Sequence, residues 1–494
     1  MSKQVFAFLY NRLNITDQFL SRFTFTFDCC FIQTNNLAEH LSATMTSGMQ
    51  GPYVGIDPST NAQEPAIELK RTITGRRVRS GPDVNVAELL KALLPAALMI
   101  LAVLWINASH IYGVFKHQGA YVHRANIALA DFDGGDFGKA LRESAATSNG
   151  TYGNPTYVNV DTARSSPEQI QHDVFTGKYW AAIVVDSGAT ARFENAVNGS
   201  AQTYDPNDVY TYYLLDARYY TLYASSILSP VVTTASTATG LFSSQYVAPI
   251  IAQGQHANTT AALSALAGPA RAIEMPAASQ LFGALDDKAF INTLGAVLPI
   301  LMQFFFIMAW NGICNGMHLY AAYDLRTHIF ARLFWSTIWP VFTSLCTAGW
   351  TFAFRGSYHI DAKMFFAFWA VTWVYSMINF DVLDVITGFI PMAFVPFLFL
   401  SWVIFNVAAS LGPPEILNNW YRINFFFPSL HWYRTFIAII TEGAYNNLHY
   451  TLPVLAAWMV LMKCISPLAT RNRVRKAQEV FRWYNERDAI GGPH

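Results

Sequence analysis

The chain has 494 residues, a formal net charge of zero, 53% apolar residues and only 13% charged ones. A soluble globular chain carries roughly 25% charged residues, so this deficit excludes a disordered protein and argues against an ordinary soluble enzyme. Balanced charge with no large basic block argues against nucleic acid as the main partner, and five cysteines in so long a chain do not make a disulfide scaffold.

Residues 1–85 show no strong periodicity. Gly51-Pro52, Asp57-Pro58, Glu64-Pro65 and Gly81-Pro82 punctuate them, which predicts a flexible tail. Its basic residues Lys70, Arg71, Arg76, Arg77 and Arg79 serve either as a topology signal or as a contact with anionic lipid. Residues 93–114 then lack Asp, Glu, Lys and Arg. About 20 apolar residues at about 1.5 Å rise cross a hydrocarbon core of about 30 Å, so a first transmembrane helix is expected over 86–114.

A polar stretch, 115–290, follows. Within it 126–130, 156–160 and 179–185 read as strands. Residues 137–145, the stretch opened by Ser166-Pro167-Glu168, and 189–196 read as helices. Repeated alternation predicts a small α/β domain, and 217 to about 266 reads as helix leading back to the membrane. Apolar runs return at 294–317, 333–354, 364–380, 385–414 and 452–468. Lys463 near the end of the last run is expected to snorkel toward the headgroups.

The expected fold class is an α-helical integral membrane protein with about six transmembrane helices, one plus five, and an extracytoplasmic α/β domain. Its segments are a cytoplasmic tail (1–85), a first helix (86–114), the extracytoplasmic domain (115–290), a five-helix block (291–470) and a basic tail (471–494). Six crossings gather the cluster at 70–79, Arg326 and Arg332, and Arg471, Arg473, Arg475 and Lys476 on one side. The positive-inside rule makes that side cytoplasmic, with both termini. Asn149, Asn198 and Asn258 open Asn-x-Ser/Thr sequons in the loop that then faces outside or lumen and are the candidate glycosylation sites. Asn107 opens another but lies too close to the membrane.

Candidate chemistry is sparse. Asp131, Asp133 and Asp136 fall within six residues, but the position where a calcium loop needs Glu holds Arg142, so a strand end, glycine turn and helix cap is the competing reading. Asn311, Asn315 and His318 fall at i, i+4 and i+7 and share one helix face. They are the candidate substrate path, with helix-to-helix hydrogen bonding as the alternative. Gly312 and Gly316 beside them form Gly-x-x-x-Gly, a helix-packing motif. Asp381 and Asp384 read as a solvated turn, or as proton-coupling groups if they face a cavity. The aromatic segment 412–450 is expected to dip into the outer leaflet without crossing. No metal-ligand or nucleophile–base spacing stands out, and neither enzyme activity nor a cofactor is expected.

The order of these segments resembles the membrane subunits of type-two ABC exporters and phage-infection-type membrane proteins. More closely, the chain is similar to the fungal nitrosoguanidine-resistance membrane protein family. The likeness is carried by Asn126-Ile127-Ala128-Leu129-Ala130-Asp131-Phe132-Asp133, by Thr176-Gly177-Lys178-Tyr179-Trp180-Ala181-Ala182-Ile183, by 93–112 and 219–232, and by the outer segment 413–432. It covers about 85–475; residues 1–45 fall outside it. The resemblance implies a fungal multi-pass membrane glycoprotein linked to drug resistance and brings no catalytic residues. The expected role is transport of hydrophobic or amphipathic molecules or lipids. The alternative is a regulatory or scaffolding protein that alters lipid distribution or a partner pump. Expected partners are membrane lipids, a small hydrophobic substrate and a second copy of the chain. The expected location is the plasma membrane, although an internal membrane would leave the same pattern.

Overall fold

A computed structural model describes residues 69–71, 77–79, 86–116, 118–198, 204–215, 217–249, 271–274, 293–355 and 360–489. Asn258, the helix expected beyond 250 and the tail up to 68 lie outside the described residues. The chain divides into a unit ending at Leu89 and a unit from Leu90 onward. In the first, β1 (Leu69–Arg71) and β2 (Arg77–Arg79) pair antiparallel, Leu69 opposite Arg79. Lys70, Arg71, Arg77 and Arg79 thus stand in a hairpin where the sequence predicts only a tail.

In the second unit, β3 (Asn126–Asp131), β4 (Thr156–Asn159), β5 (Ala181–Val185), β6 (Tyr210–Leu214) and β7 (Arg271–Glu274) form one sheet in the order β4-β3-β5-β6-β7. Strand β3 runs parallel to both neighbours, Ile127 opposite Tyr157 and Ala181, whereas β5 and β6 are antiparallel, Ile183 opposite Tyr212. Helices α2 (Asp136–Ser148), α3 (Pro167–Phe175), α4 (Ala189–Val197) and α5 (Ser229–Phe242) accompany it. The expected strands and helices are therefore present, with β6 and β7 as additions. All of β5 is buried, as a sheet covered on both faces requires. The period-2 alternation of strands sends Ile127, Leu129 and Ile183 toward Phe137, Phe193 and Phe242. It sends Ala128, Ala182 and Val184 into the cluster holding Ile170, Val174 and Tyr219.

The helical block comprises α1 (Val86–Phe115), α6 (Val297–Gly316), α7 (Leu325–Ala353), α8 (Ala362–Phe389), α9 (Val395–Leu411), α10 (Pro428–Ile440) and α11 (Leu448–Ala489). Among the described residues, five helices are long and apolar enough to cross a membrane: those containing Ala97–Phe115, Val297–Gly316, Leu325–Ala353, Ala362–Phe389 and Leu448–Trp483. The 17-residue α9 reaches about 25 Å. Trp105, Phe305 and Phe330 stand exposed on these helices, an apolar exterior that lipid tolerates and water does not. The protein is a multi-pass integral membrane protein.

Two boundaries differ from expectation. The run 385–414 is not one segment: α8 continues through Asp381 and Asp384 to Phe389, and Ile390 takes the extended backbone that a following proline imposes. Pro396 then sits in the first turn of α9, where its missing N–H costs nothing. The last helix continues through Arg471 and Lys476 to Ala489, so most of the expected basic tail is helical.

Helix α10 is buried along nearly all its length. Its Trp432 stacks on Tyr375 of α8 and donates from Nε1 to Thr372 Oγ1 at 3.1 Å. Thirteen residues span only about 20 Å, so α10 inserts among the helices without crossing.

A cationic joint ties the sheet to this block. Arg218 lies 3.4 Å above the Trp180 ring and 3.9 Å from the Tyr445 ring. Buried Arg434 of α10 donates to Tyr219 Oη at 2.8 Å, to Glu415 Oε1 at 2.6 Å, and to Tyr450. Tyr219 and Tyr445 hold left-handed backbone, φ +58° and +48°, which bulky residues adopt only when their surroundings compel it. Gly177 is needed for two reasons: its φ is +87°, and a Cβ there would stand 2.6 Å from the Tyr445 ring.

Candidate functional site

Five ionisable side chains from three membrane helices meet near the end of α8 and the middle of α11. Asp384 of α8 is fully buried. Its Oδ1 accepts from Arg332 Nη1 of α7 at 2.7 Å and from Arg473 Nη2 of α11 at 3.2 Å, and its Oδ2 accepts from Ser466 Oγ at 3.0 Å. One turn away, Lys463 Nζ lies 3.0 Å from buried Asp381 Oδ2 and also donates to Ser336. Arg332 further donates to Asn311 Oδ1 and Tyr320 Oη, and Tyr320 Oη donates to Asn311 Oδ1 at 2.8 Å. Removing ions from water costs several kcal/mol each, so they persist only with such partners.

The cluster corrects three expectations. Asp381 and Asp384 are not in a solvated turn, because nothing stops α8 before Pro391. Lys463 does not snorkel, because its Nζ is held by the buried Asp381 carboxylate and by Ser336. Arg332 is not a loop charge: it stands two turns inside α7 and is 2% exposed.

Beside the cluster lies a cavity of about 410 Å³, bounded by the end of α6, the turn Leu319–Ala322, the α8–α9 connection and α11. Asn311, Asn315 and His318 all line it. Asn311 is buried within the cluster, whereas Asn315 and His318 are exposed, and His318 follows the end of α6 in left-handed backbone with φ +53°. Arg473 and Lys476 add cationic lining, and Met392, Val480 and Phe481 add apolar lining.

The other sequence candidates are scattered. A Cβ at Gly312 or Gly316 would meet no atom within 4 Å, so this pair packs no helix among the described residues; the packed face of α6 is the one bearing Asn311 and Cys314. Gln303 donates to Thr343 Oγ1 at 2.8 Å, and Asn406 Oδ1 accepts from Ser429 N at 3.3 Å, so both amides join helices. Asn149 is exposed at the end of α2 and Asn198 at the end of α4, while Asn107 is buried in α1 and donates to Ser401 Oγ at 3.0 Å. Asp131 accepts from the N–H of Asp133 and Gly134, which is the strand end and glycine turn, whereas Asp133 accepts from Thr190 N in the first turn of α4 and does not cap α2. Among the described residues no group of three His, Cys, Asp or Glu is placed to hold a metal.

A family model described as "Protein of unknown function (DUF3533)" matches residues 96–464. An uncharacterized endoplasmic reticulum membrane protein of Saccharomyces cerevisiae is 23% identical over 353 residues, 66% of this chain and 66% of that relative. The chain thus aligns with about two thirds of the relative's length. No solved structure matches. The family match takes in Arg332, Asp381, Asp384 and Lys463 and ends before Ser466 and Arg473. The chain belongs to the DUF3533 family.

Proposed function

We propose that this DUF3533 protein moves amphipathic molecules, membrane lipids foremost, across or within its membrane, as a transporter rather than an enzyme. The observation that supports this reading is the cavity of about 410 Å³ at one end of the membrane helices. It joins a polar wall of Asn311, Asn315 and Arg473 to an apolar wall of Met392, Val480 and Phe481. A molecule with a polar head and an apolar tail matches both walls at once. Arg326, Arg471, Arg475 and Lys476 gather at the same end, which the positive-inside rule assigns to the cytoplasm. The α/β domain then faces outside or lumen. The similarity to nitrosoguanidine-resistance proteins favours export of toxic amphipathic compounds as a physiological consequence. The yeast relative, an endoplasmic reticulum membrane protein, makes that membrane the first to examine, with the plasma membrane second.

Sealed vesicles from cells with and without the protein test the proposal. Uptake of a fluorescent phospholipid and of a toxic hydrophobic compound is followed with ATP or a proton gradient supplied separately. Protein-dependent flux that falls on combined Asn315→Leu and His318→Leu substitution is expected. Absence of flux, in cells where the protein nevertheless confers resistance, would replace transport with the regulatory reading.

A further inference from the structure

The cavity carries unspent hydrogen-bond donors. Arg473 has side-chain exposure of only 10%, and its Nη1 is buried with no partner; the same is true of Asn311 Nδ2. Both residues line the cavity. Buried polar atoms are rarely left unpaired, because each costs about 1–3 kcal/mol. Both orphans can only donate, so the missing partner is an acceptor.

Charge points the same way. In the buried cluster the cations Arg332, Lys463 and Arg473 face the carboxylates Asp381 and Asp384, three against two. Lys476 adds another cation to the cavity lining, and no Asp or Glu lines it. The site therefore calls for an anion with several acceptor oxygens reachable from α6 and α11 together. A phosphate group meets this, since guanidinium and ammonium donors reach different oxygens of one tetrahedral anion.

Position separates lipid from solute. The stretch Leu448–Trp483 of α11 has 36 residues, about 54 Å of helix against a hydrocarbon core of about 30 Å, and its apolar run 452–468 ends before its first arginine, Arg471. Arg473 and Lys476 lie in its last third, beyond that apolar run, where basic residues at a helix end face the headgroup region. Val480 and Phe481 stand partly exposed beside them, ready to meet an acyl chain. We propose that Asn311, Arg473 and Lys476 form a binding site for the phosphate of an anionic phospholipid headgroup. This deepens the transport reading of the same cavity and rests on it.

The test uses the purified full-length protein in nanodiscs of phosphatidylcholine with and without phosphatidic acid, read by native mass spectrometry of retained lipid and by competition with inorganic phosphate. Asn311→Asp keeps the oxygen that accepts from Arg332 and Tyr320 but turns the orphan donor into a carboxylate oxygen. Lys476→Glu changes an exposed residue and leaves the buried cluster intact. Each should lower phosphatidic acid retention about tenfold, the loss expected of one charge-assisted hydrogen bond. Retention that inorganic phosphate cannot displace supports the lipid as source; displacement by millimolar phosphate supports the phosphate site but assigns it to a soluble compound. Retention equal in wild type and both variants, or no preference for the anionic lipid, overturns the site. Vesicle flux without anionic lipid binding removes this inference and leaves the transport reading standing. Binding without flux does the reverse.

Discussion

Asp384 shows how a single buried carboxylate organises helices that the chain separates widely. It holds Arg332 of α7, Arg473 and Ser466 of α11, and its own helix α8 in one arrangement. Such a cluster is weak as a source of net stability but costly to break, because removing one partner strands a charge at about 3–5 kcal/mol. Asp384→Asn should therefore lower the thermal unfolding midpoint of the detergent-solubilised protein and its yield. Adding Arg332→Gln should recover part of the loss, since it removes the stranded guanidinium. A double variant as unstable as the sum of the two single variants would show that the two residues are not coupled. Close packing supports the arrangement: a Cβ at Gly388 would lie 2.6 Å from that of Ala469, so α8 and α11 cross at the point where the ion pairs form.

At the scale of elements, the joint between the sheet and the helical block is held by charge as well as by rings. Burial alone would raise the Glu415 carboxyl, but the guanidiniums of Arg434 and Arg218 outweigh it and hold it below the ordinary carboxylate range. A lowered folded value means that this stabilisation is complete above the unfolded glutamate value of about 4.3 and is lost as pH falls through the lower folded value. The purified protein should thus become susceptible to limited proteolysis at the joint as pH is taken below about 4, with no change between neutral pH and 5. Glu415→Gln should open the joint at neutral pH and flatten its acid response; an acid transition unchanged in that variant would remove Glu415 as its source. Segments 176–183, 219–232 and 413–432 converge here, through Gly177 and Trp180, Tyr219, and Glu415. Their apolar and aromatic character is explained by packing across this joint.

For the whole molecule, the side of the membrane that holds the α/β domain is the property most open to direct test. Asn149 is exposed, and its Oδ1 accepts from Tyr157 N at 2.9 Å; Asn198 is exposed at the end of α4. If the domain is extracytoplasmic, glycosidase treatment should increase electrophoretic mobility. Asn149→Gln and Asn198→Gln should each remove one step of that shift, while Asn107→Gln, altering a residue buried against α9, should remove none. Mobility unaffected by glycosidase in the wild type would argue for the opposite orientation.

Hydropathy and periodicity alone were enough to recognise a multi-pass membrane protein, to locate α1, α6, α7 and α11, and to find β3, β4 and β5 with their helices. These features depend on local composition: a long apolar run must leave water, and a strand must alternate or be wholly buried. Asn311 and Asn315 were legible as one face of α6 for the same reason, whereas His318, expected on that face, falls beyond the end of the helix. Tertiary structure alone decided the fate of Asp381 and Asp384, which end an apolar run in sequence and read as a turn until Arg332, Lys463 and Arg473 are brought beside them. Each carboxylate's partners lie 52 to 89 residues from it, Arg332 to Asp384 being the nearest and Asp384 to Arg473 the farthest. Whether a charge is solvated or buried depends on what packs against it, and no local pattern encodes a partner on another helix. The same holds for the Gly312 and Gly316 pair, whose spacing permits close packing but cannot supply the second helix.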